Sequence, residues 1–168
     1  MPVRWFSIPQ CFRYERMTKG RRREHFQWNA DIIGQSGVTA EAEILLLLIN
    51  ACREMGLTDA EFRIFLNDRR ILNSILEKIE VPPNLHDSVL VIMDKRDKVS
   101  PESFSEMLVE SGMNSSQVEQ LKEHLAIPEL ESLSKLLPDC EGITALQELS
   151  ELIKISGFSS YIQFDVSI

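Results

Sequence analysis

From His25 to Ile32 polar and apolar residues alternate without a fault: His25, Gln27, Asn29 and Asp31 against Phe26, Trp28, Ala30 and Ile32. Successive side chains of a strand point to opposite faces, so this segment reads as a strand with one polar and one apolar face. Arg23 extends the polar set. The apolar set wants a core. Upstream, Trp5 to Arg16 is rich in aromatic and β-branched residues with no helical period, and reads as a second strand. Pro9 places an edge or a bulge in its middle. Met17 to Arg23 is a polar turn with one glycine, so the pair is an antiparallel hairpin with a long basic loop. Cys11, Arg13 and Glu15 share one side and Phe12 and Tyr14 the other; Pro9 leaves the parity before Cys11 open. If the two polar sets coincide, the sheet presents a floor of two arginines, two carboxylates, an amide and an imidazole.

Charge sharpens that picture. Residues 1–34 carry seven basic side chains against three acidic ones, a net +4, although the whole chain of 168 residues stands at −8. The rest of the chain therefore carries −12, an asymmetry that points to an anion-binding end on an acidic body. Arginine presents a planar fork that grips phosphate with two hydrogen bonds. A carboxylate deeper in the floor suits a ligand ammonium. The pattern alone leaves two readings open: a small-anion or nucleotide site, and a polar face that merely meets solvent.

Behind the hairpin, Thr39 is the expected cap of a helix over about residues 40–55, apolar almost all round at Ile44–Ile49, with Gly56 as its stop. Such a helix should be buried across one face of the sheet. Phe62–Asn67 reads as a short strand, and Asp68 can cap a helix over Arg69–Ile79. Helices follow at about Asn84–Lys95, from Ser100-Pro101 to Gly112, from Ser115 to about Ala126, and in the short stretch between Pro128 and Pro138. Gly142–Ser156 is amphipathic, with Leu146, Leu149 and Ile153 on one face, and Tyr161–Val166 reads as a last strand. The fold class is α+β: a partial antiparallel sheet with a mostly helical insertion. Its divisions are a core over 1–80, a helical insertion over 81–157 and a returning strand over 158–168.

Several classes are excluded or disfavoured. The longest aliphatic run, Ile44–Ile49, is far short of the ~20 residues that span a bilayer. Cys11, Cys52 and Cys140 are odd in number, scattered and outside any CxxC pair, which disfavours a disulfide scaffold and suits a reducing compartment. His86 and His124 have no ligand partners at metal spacing and read as surface or cap histidines. Met1–Phe6 shows neither a signal-peptide core nor a transit composition. A cytoplasmic location is expected, with mitochondrion or chloroplast as the alternative where a targeting segment lies outside these residues.

The hairpin carries a longer pattern. Phe12-Arg13-Tyr14-Glu15-Arg16, then Gly20-Arg21, then Arg23-Glu24-His25-Phe26-Gln27-Trp28-Asn29-Ala30-Asp31 resembles motif 2 of the class II aminoacyl-tRNA synthetases. The form F-R-x-E-R-x-x-x-G-R-x-R-x-x-x-Q-x-x-x-[DE] is similar to that of the histidyl-tRNA synthetases in particular. The wording Arg-Glu-His-Phe-Gln-Trp-Asn resembles their bacterial and plant-organelle branch. The resemblance runs on through Gly37–Glu43 and resumes at Phe164-Asp165-Val166-Ser167, similar to the lead-in to that family's R-G-L-x-Y-Y-T-G segment.

What the resemblance implies can be carried over residue by residue. Arg13 matches the arginine that holds the ATP α-phosphate and stabilises charge as histidine attacks it. Glu15 matches the acceptor of the adenine amino group, and Arg21 the loop arginine on the γ-phosphate. Gln27 and Asp31 match the pair that binds histidine, with the carboxylate near its ammonium. Thr18, Lys19 and Arg22 sit in the loop that reaches the tRNA acceptor end. Two departures stand out. His25 replaces a common phenylalanine under the adenine, and Met17 replaces a common proline at the start of the loop. The implied substrates are ATP, histidine and the tRNA for histidine, with Mg2+ carried by ATP and no bound metal site. The family forms homodimers.

Motif 1, the R-G-L segment, motif 3 and an anticodon-binding domain are not found in these residues. The expectation is therefore a middle slice of a synthetase, inactive alone. The competing reading is a non-catalytic relative, such as a synthetase-like regulatory subunit of histidine biosynthesis or a binding module. Relatives of that kind tend to lose the ATP arginines, and here Arg13, Glu15 and Arg21 are present beside Gln27 and Asp31. A basic hairpin binding RNA is a third, weaker reading; it predicts tRNA affinity that falls steeply with salt, without ATP or histidine binding.

Overall fold

The structure, a computed structural model, describes residues 1–14, 16 and 18–166. The expected hairpin is present, and each of its strands is broken once. β1 (Val3–Ser7) pairs antiparallel with β4 (Asn29–Ile33), and β2 (Gln10–Phe12) with β3 (Glu24–Phe26). Pro9 has no N–H to give the ladder, which accounts for the gap. The register nevertheless survives it: Val3 faces Ile33, Ser7 faces Asn29, Gln10 faces Phe26 and Phe12 faces Glu24. The Gln27 N–H donates to the Pro9 carbonyl at 3.1 Å and bridges the break. Beyond β2, the Arg13 N–H donates to the Arg23 carbonyl at 2.8 Å. The tip closes with the Arg21 N–H on the Thr18 carbonyl at 3.0 Å, and Gly20 takes φ +83° in that turn.

α1 (Val38–Glu54) follows. It starts two residues before the expected position, with Gly37 rather than Thr39 at the cap. Gly37 has φ +97°, a conformation glycine adopts without strain, and the Thr39 hydroxyl accepts instead from the Gln35 amide at 2.7 Å. The helix is less buried than its composition suggested. Ala42 and Ile49 are buried, but Leu47 and Leu48 are 43% and 40% exposed. α1 packs chiefly on α7 (Glu141–Ile155) and on β4, which leaves part of its apolar surface uncovered. The expectation that it would shield all of Phe26, Trp28, Ala30 and Ile32 holds only at the base of the hairpin. Ala30 and Ile32 are half-buried, whereas Phe26 is 73% exposed. The hairpin runs past the helix. Arg4 grips the Glu43 carboxylate with two nitrogens, Nη2 to Oε2 at 2.7 Å, and pins the base to α1. The hydrogen bond from Arg4 holds the Glu43 carboxyl below its usual range.

β5 (Ile64–Leu66) and β6 (Ile162–Phe164) pair in parallel, Ile64 opposite Ile162 and Leu66 opposite Phe164. Parallel neighbours need a crossover, and here the crossover is the whole helical block. It comprises α2 (Arg69–Lys78), α3 (Pro83–Met93), α4 (Pro101–Glu110), α5 (Ser115–Leu125), α6 (Leu130–Leu136) and α7. Starts are set by local caps: the Ser100 hydroxyl accepts from the Ser103 N–H, and Asn114 with Gln117 forms a capping box. One apolar cluster runs from Ala42 through Ile71, Ile75, Leu121 and Ile153 to Val166, so the block shares its core with α1. Leu146, Leu149 and Ile153 are buried along one face of α7, as their spacing predicts. Among the described residues no helix is long and apolar enough to cross a membrane.

Asp68 caps α2 beside the start of α7. Its Oδ1 accepts from the Arg70 N–H at 2.9 Å, capping α2, and its Oδ2 pairs with Arg70 Nη2 at 2.7 Å. Gly142, in the first turn of α7, lies against this pair: a Cβ there would come within 3.0 Å of Asp68 Oδ1. The hydrogen bond from the Arg70 guanidinium holds the Asp68 carboxyl below the usual carboxylate range. A depressed folded-state pKa stabilises above the unfolded value, and the gain is lost as pH falls through the folded one. Asp68→Ala is expected to cost about 1 kcal/mol at pH 7, by chemical denaturation. The gap from wild type should narrow below pH ~4, where the unfolded carboxylate protonates.

Candidate functional site

Directly opposed residues of an antiparallel ladder project to the same face, with Cβ atoms about 4.5–5.5 Å apart. The register therefore assigns the floor. Arg13 lies opposite Arg23, Cys11 opposite His25, Ser7 opposite Asn29 and Trp5 opposite Asp31, with Gln27 between His25 and Asn29. The polar set of the second strand coincides with Cys11 and Arg13 of the first, which meets the condition that the alternation had left open. Arg13, His25, Gln27 and Asp31 stand on one face, ordered from cation through ring and amide to carboxylate. The face looks away from α1, because Arg4 and Ile32, which meet α1, are of the opposite parity.

Arg21 is placed differently. The bridge of Thr18 to Arg21 is out of register with the stem, so parity does not carry Arg21 onto the floor. The turn holds it at the hairpin tip with Thr18, Lys19 and Arg22, all exposed. Glu15 and Met17 lie outside the described residues, as does Ser167. Arg13 and Arg23 face each other as like charges, which a ladder disfavours. The Arg23 guanidinium is drawn over the Tyr14 ring, 4.6 Å from its centroid, where cation–π attraction offsets the repulsion.

Ser7, Cys11, His25, Gln27 and Asn29 are half-buried, whereas Arg13 and Asp31 are exposed. The Cys11 thiol contacts the Pro9 carbonyl at 3.9 Å. Gln27 Nε2 donates to Asn29 Oδ1 at 2.7 Å, and Asn29 Nδ2 to Ser7 Oγ at 3.3 Å. Trp5 and Ser7 were not legible as floor residues, because Pro9 hid the parity upstream of it. Asn29 was legible on the polar face, but nothing in the spacing gave it a partner.

Other features do not compete with this face. A cleft of about 500 Å3 between β4, the start of α1 and α7 is lined by Ile32, Gln35, Glu41, Asn67 and Leu149, on the far side of β4 from the floor. His86 donates from Nε2 to the Val81 carbonyl at 2.9 Å, and His124 contacts the Gln120 carbonyl through Nδ1. Among the described residues no group of three His, Cys, Asp or Glu side chains could hold a metal ion.

The chain as a whole can be set beside known proteins. It is 38% identical over 169 residues to the histidine–tRNA ligase, chloroplastic/mitochondrial, of Arabidopsis thaliana, covering 100% of this chain and 35% of that protein. Its fold superposes on histidyl-tRNA synthetase from Nostoc sp. PCC 7120 with a TM-score of 0.80 at 18% identity, over 98% of this chain and 40% of that one. It also superposes on an ATP phosphoribosyltransferase regulatory subunit/histidyl-tRNA synthetase from Bacillus halodurans C, with a TM-score of 0.79 at 19% identity, over 100% of this chain and 44% of that one. At those identities the two superpositions establish the fold. The chain thus spans less than half the length of these relatives. The family model for histidyl-tRNA synthetase matches residues 1–167, and with an arginine-to-carboxylate floor on its hairpin the chain belongs to that family.

Proposed function

We propose that this chain supplies the motif-2 part of the ATP and histidine site of a histidine–tRNA ligase, which joins histidine to its tRNA through histidyl-adenylate. The order of groups on one hairpin face carries this reading: Arg13, then His25, then Gln27, then Asp31, with Arg21 at the tip. In the first half-reaction a histidine carboxylate oxygen attacks the α-phosphorus of ATP. A C–O–P bond forms, the bond from that phosphorus to the bridging oxygen breaks, and pyrophosphate leaves with the electron pair. No proton needs to be removed from the nucleophile, so the protein must align the reactants and stabilise negative charge. Arg13 is assigned the α-phosphate, Arg21 the γ-phosphate, Glu15 the adenine amino group and His25 the adenine face. Gln27 and Asp31 are assigned histidine, the carboxylate near its ammonium. Thr18, Lys19 and Arg22 at the tip are assigned the tRNA acceptor end. Mg2+ would arrive with the ATP phosphates, and pairing of two copies belongs to the same reading.

A non-catalytic regulatory module is the other reading, and a neighbour's fold alone does not favour it. Retention of Arg13 and Arg21 beside Gln27 and Asp31 supports the ligase. The test is a chimaera in which this chain replaces the matching segment of the Arabidopsis relative. Histidine-dependent exchange of pyrophosphate into ATP is expected from the chimaera, and little or none from the 168 residues alone. A chimaera that folds and binds ATP, yet shows no exchange, would sink the ligase reading in favour of a binding module.

A further inference from the structure

We infer that Asn29 and Ser7 are positioning residues for the amino-acid substrate: a side-chain relay across the β1–β4 ladder holds the Gln27 amide in place to face the ligand. The inference rests on the reading above that Gln27 meets histidine. The anatomy of the relay is independent of that reading. Gln27 occupies the break in the hairpin, where its backbone N–H is held by the Pro9 carbonyl at 3.1 Å. Its side chain is held by the relay. Gln27 Nε2 donates to Asn29 Oδ1 at 2.7 Å, and Asn29 Nδ2 donates to Ser7 Oγ at 3.3 Å. Ser7 lies directly opposite Asn29, so three half-buried polar groups form one line over two strands.

A carboxamide rotated by 180° exchanges a donor for an acceptor with almost no change of shape, so its hydrogen bonds decide its orientation. This relay accepts two polarities. In the one observed, Gln27 gives a donor to Asn29 and its carbonyl oxygen remains for a ligand. In the reverse one, the Ser7 hydroxyl donates to Asn29, Asn29 donates to Gln27, and the Gln27 NH2 group faces the ligand. The serine hydroxyl is what makes both possible, since it can donate or accept. Histidine brings N–H groups, on its ammonium and on its ring, to a floor that ends in Asp31. An acceptor beside that carboxylate serves it, and a second donor does not. The polarity with the Gln27 oxygen outward is therefore the one that serves the substrate; the substrate's N–H groups fix it, and Asn29 holds the amide in place to present it.

The experiment uses the chimaera with single substitutions and separate measurement of KM for histidine and for ATP. Asn29→Ala frees the amide and is expected to raise the histidine KM about 10-fold, the scale of one hydrogen bond, with the ATP KM within about 2-fold. Asn29→Asp can only accept, which locks the Gln27 carbonyl outward, and it should restore a histidine KM near that of the parent. Ser7→Ala should cost less than Asn29→Ala. In the 168-residue chain itself, the side-chain NH2 resonances of Gln27 should be dispersed by NMR and collapse toward random-coil positions in Asn29→Ala. Unchanged histidine KM in Asn29→Ala, where Gln27→Ala raises it, would overturn the relay and leave the Gln27 assignment standing. Unchanged KM in Gln27→Ala would overturn that assignment, and the relay's purpose with it.

Discussion

Arg13→Ala in the chimaera is expected to lower histidine-dependent exchange by about 10²–10³-fold, the cost of removing one preorganised group from developing charge. The loss should fall on kcat more than on the KM for histidine, because Arg13 is assigned to phosphate and not to the amino acid. Stability should hardly change. The Arg13 side chain is exposed, and its structural contribution, the backbone N–H on the Arg23 carbonyl, survives the substitution. Removing one of two facing cations even relieves a repulsion across the ladder. Arg13→Lys should recover only part of the rate, since an ammonium keeps the charge and loses the bidentate fork. Near-normal exchange by the alanine variant would break the assignment of this hairpin to the ATP site.

The largest expected effect on stability belongs to Ile153→Ala. Ile153 is fully buried in the last turn of α7, the helix against which α1 and α2 pack. Truncating it removes transfer free energy and leaves a cavity in a core joined to both neighbours, at about 2–5 kcal/mol. Ile155, two residues on, is 76% exposed and faces the other way. Its replacement by alanine should stay within about 0.5 kcal/mol. Denaturant unfolding of the two variants would show whether the apolar stripe of α7 is core in solution. Equal midpoints would contradict the packing described here. The effect should reach the hairpin too, because the base of β4 is seated on α1 and Arg4 is tied to Glu43.

Much of this was legible in the residues. The alternation from His25 to Ile32 defined a two-faced strand, and Gly20 in a basic run marked the tip. Asp68, Ser100-Pro101 and Ser115 marked helix starts within a residue of where they occur, and Gly56 and Gly112 marked stops. The failures share a cause. Thr39 lost the cap to Gly37 because the backbone enters α1 through a positive φ, which depends on how the chain leaves β4. Ile44–Ile49 predicted a helix covered on every side, but coverage depends on what lies beside it, and its main neighbours are α7 and β4. The pairing of β5 with β6 joins residues about a hundred positions apart, and no local pattern states whether such strands run parallel.

The candidate site divides along the same line. The amino-acid sequence by itself determined the chemistry of the floor, since arginine, amide, imidazole and carboxylate at alternate positions belong on one face of any strand they form. Capping and periodicity act between residues a few positions apart, so they are written where they act. Tertiary structure alone decided that the register passes unbroken through Pro9, bringing Ser7 beneath Asn29 and Trp5 beside Asp31. It also left the aromatic back of the hairpin tip uncovered and held the hairpin base on α1. Those outcomes depend on pairing and packing between segments distant in the chain, whose energy exists only once the segments have met.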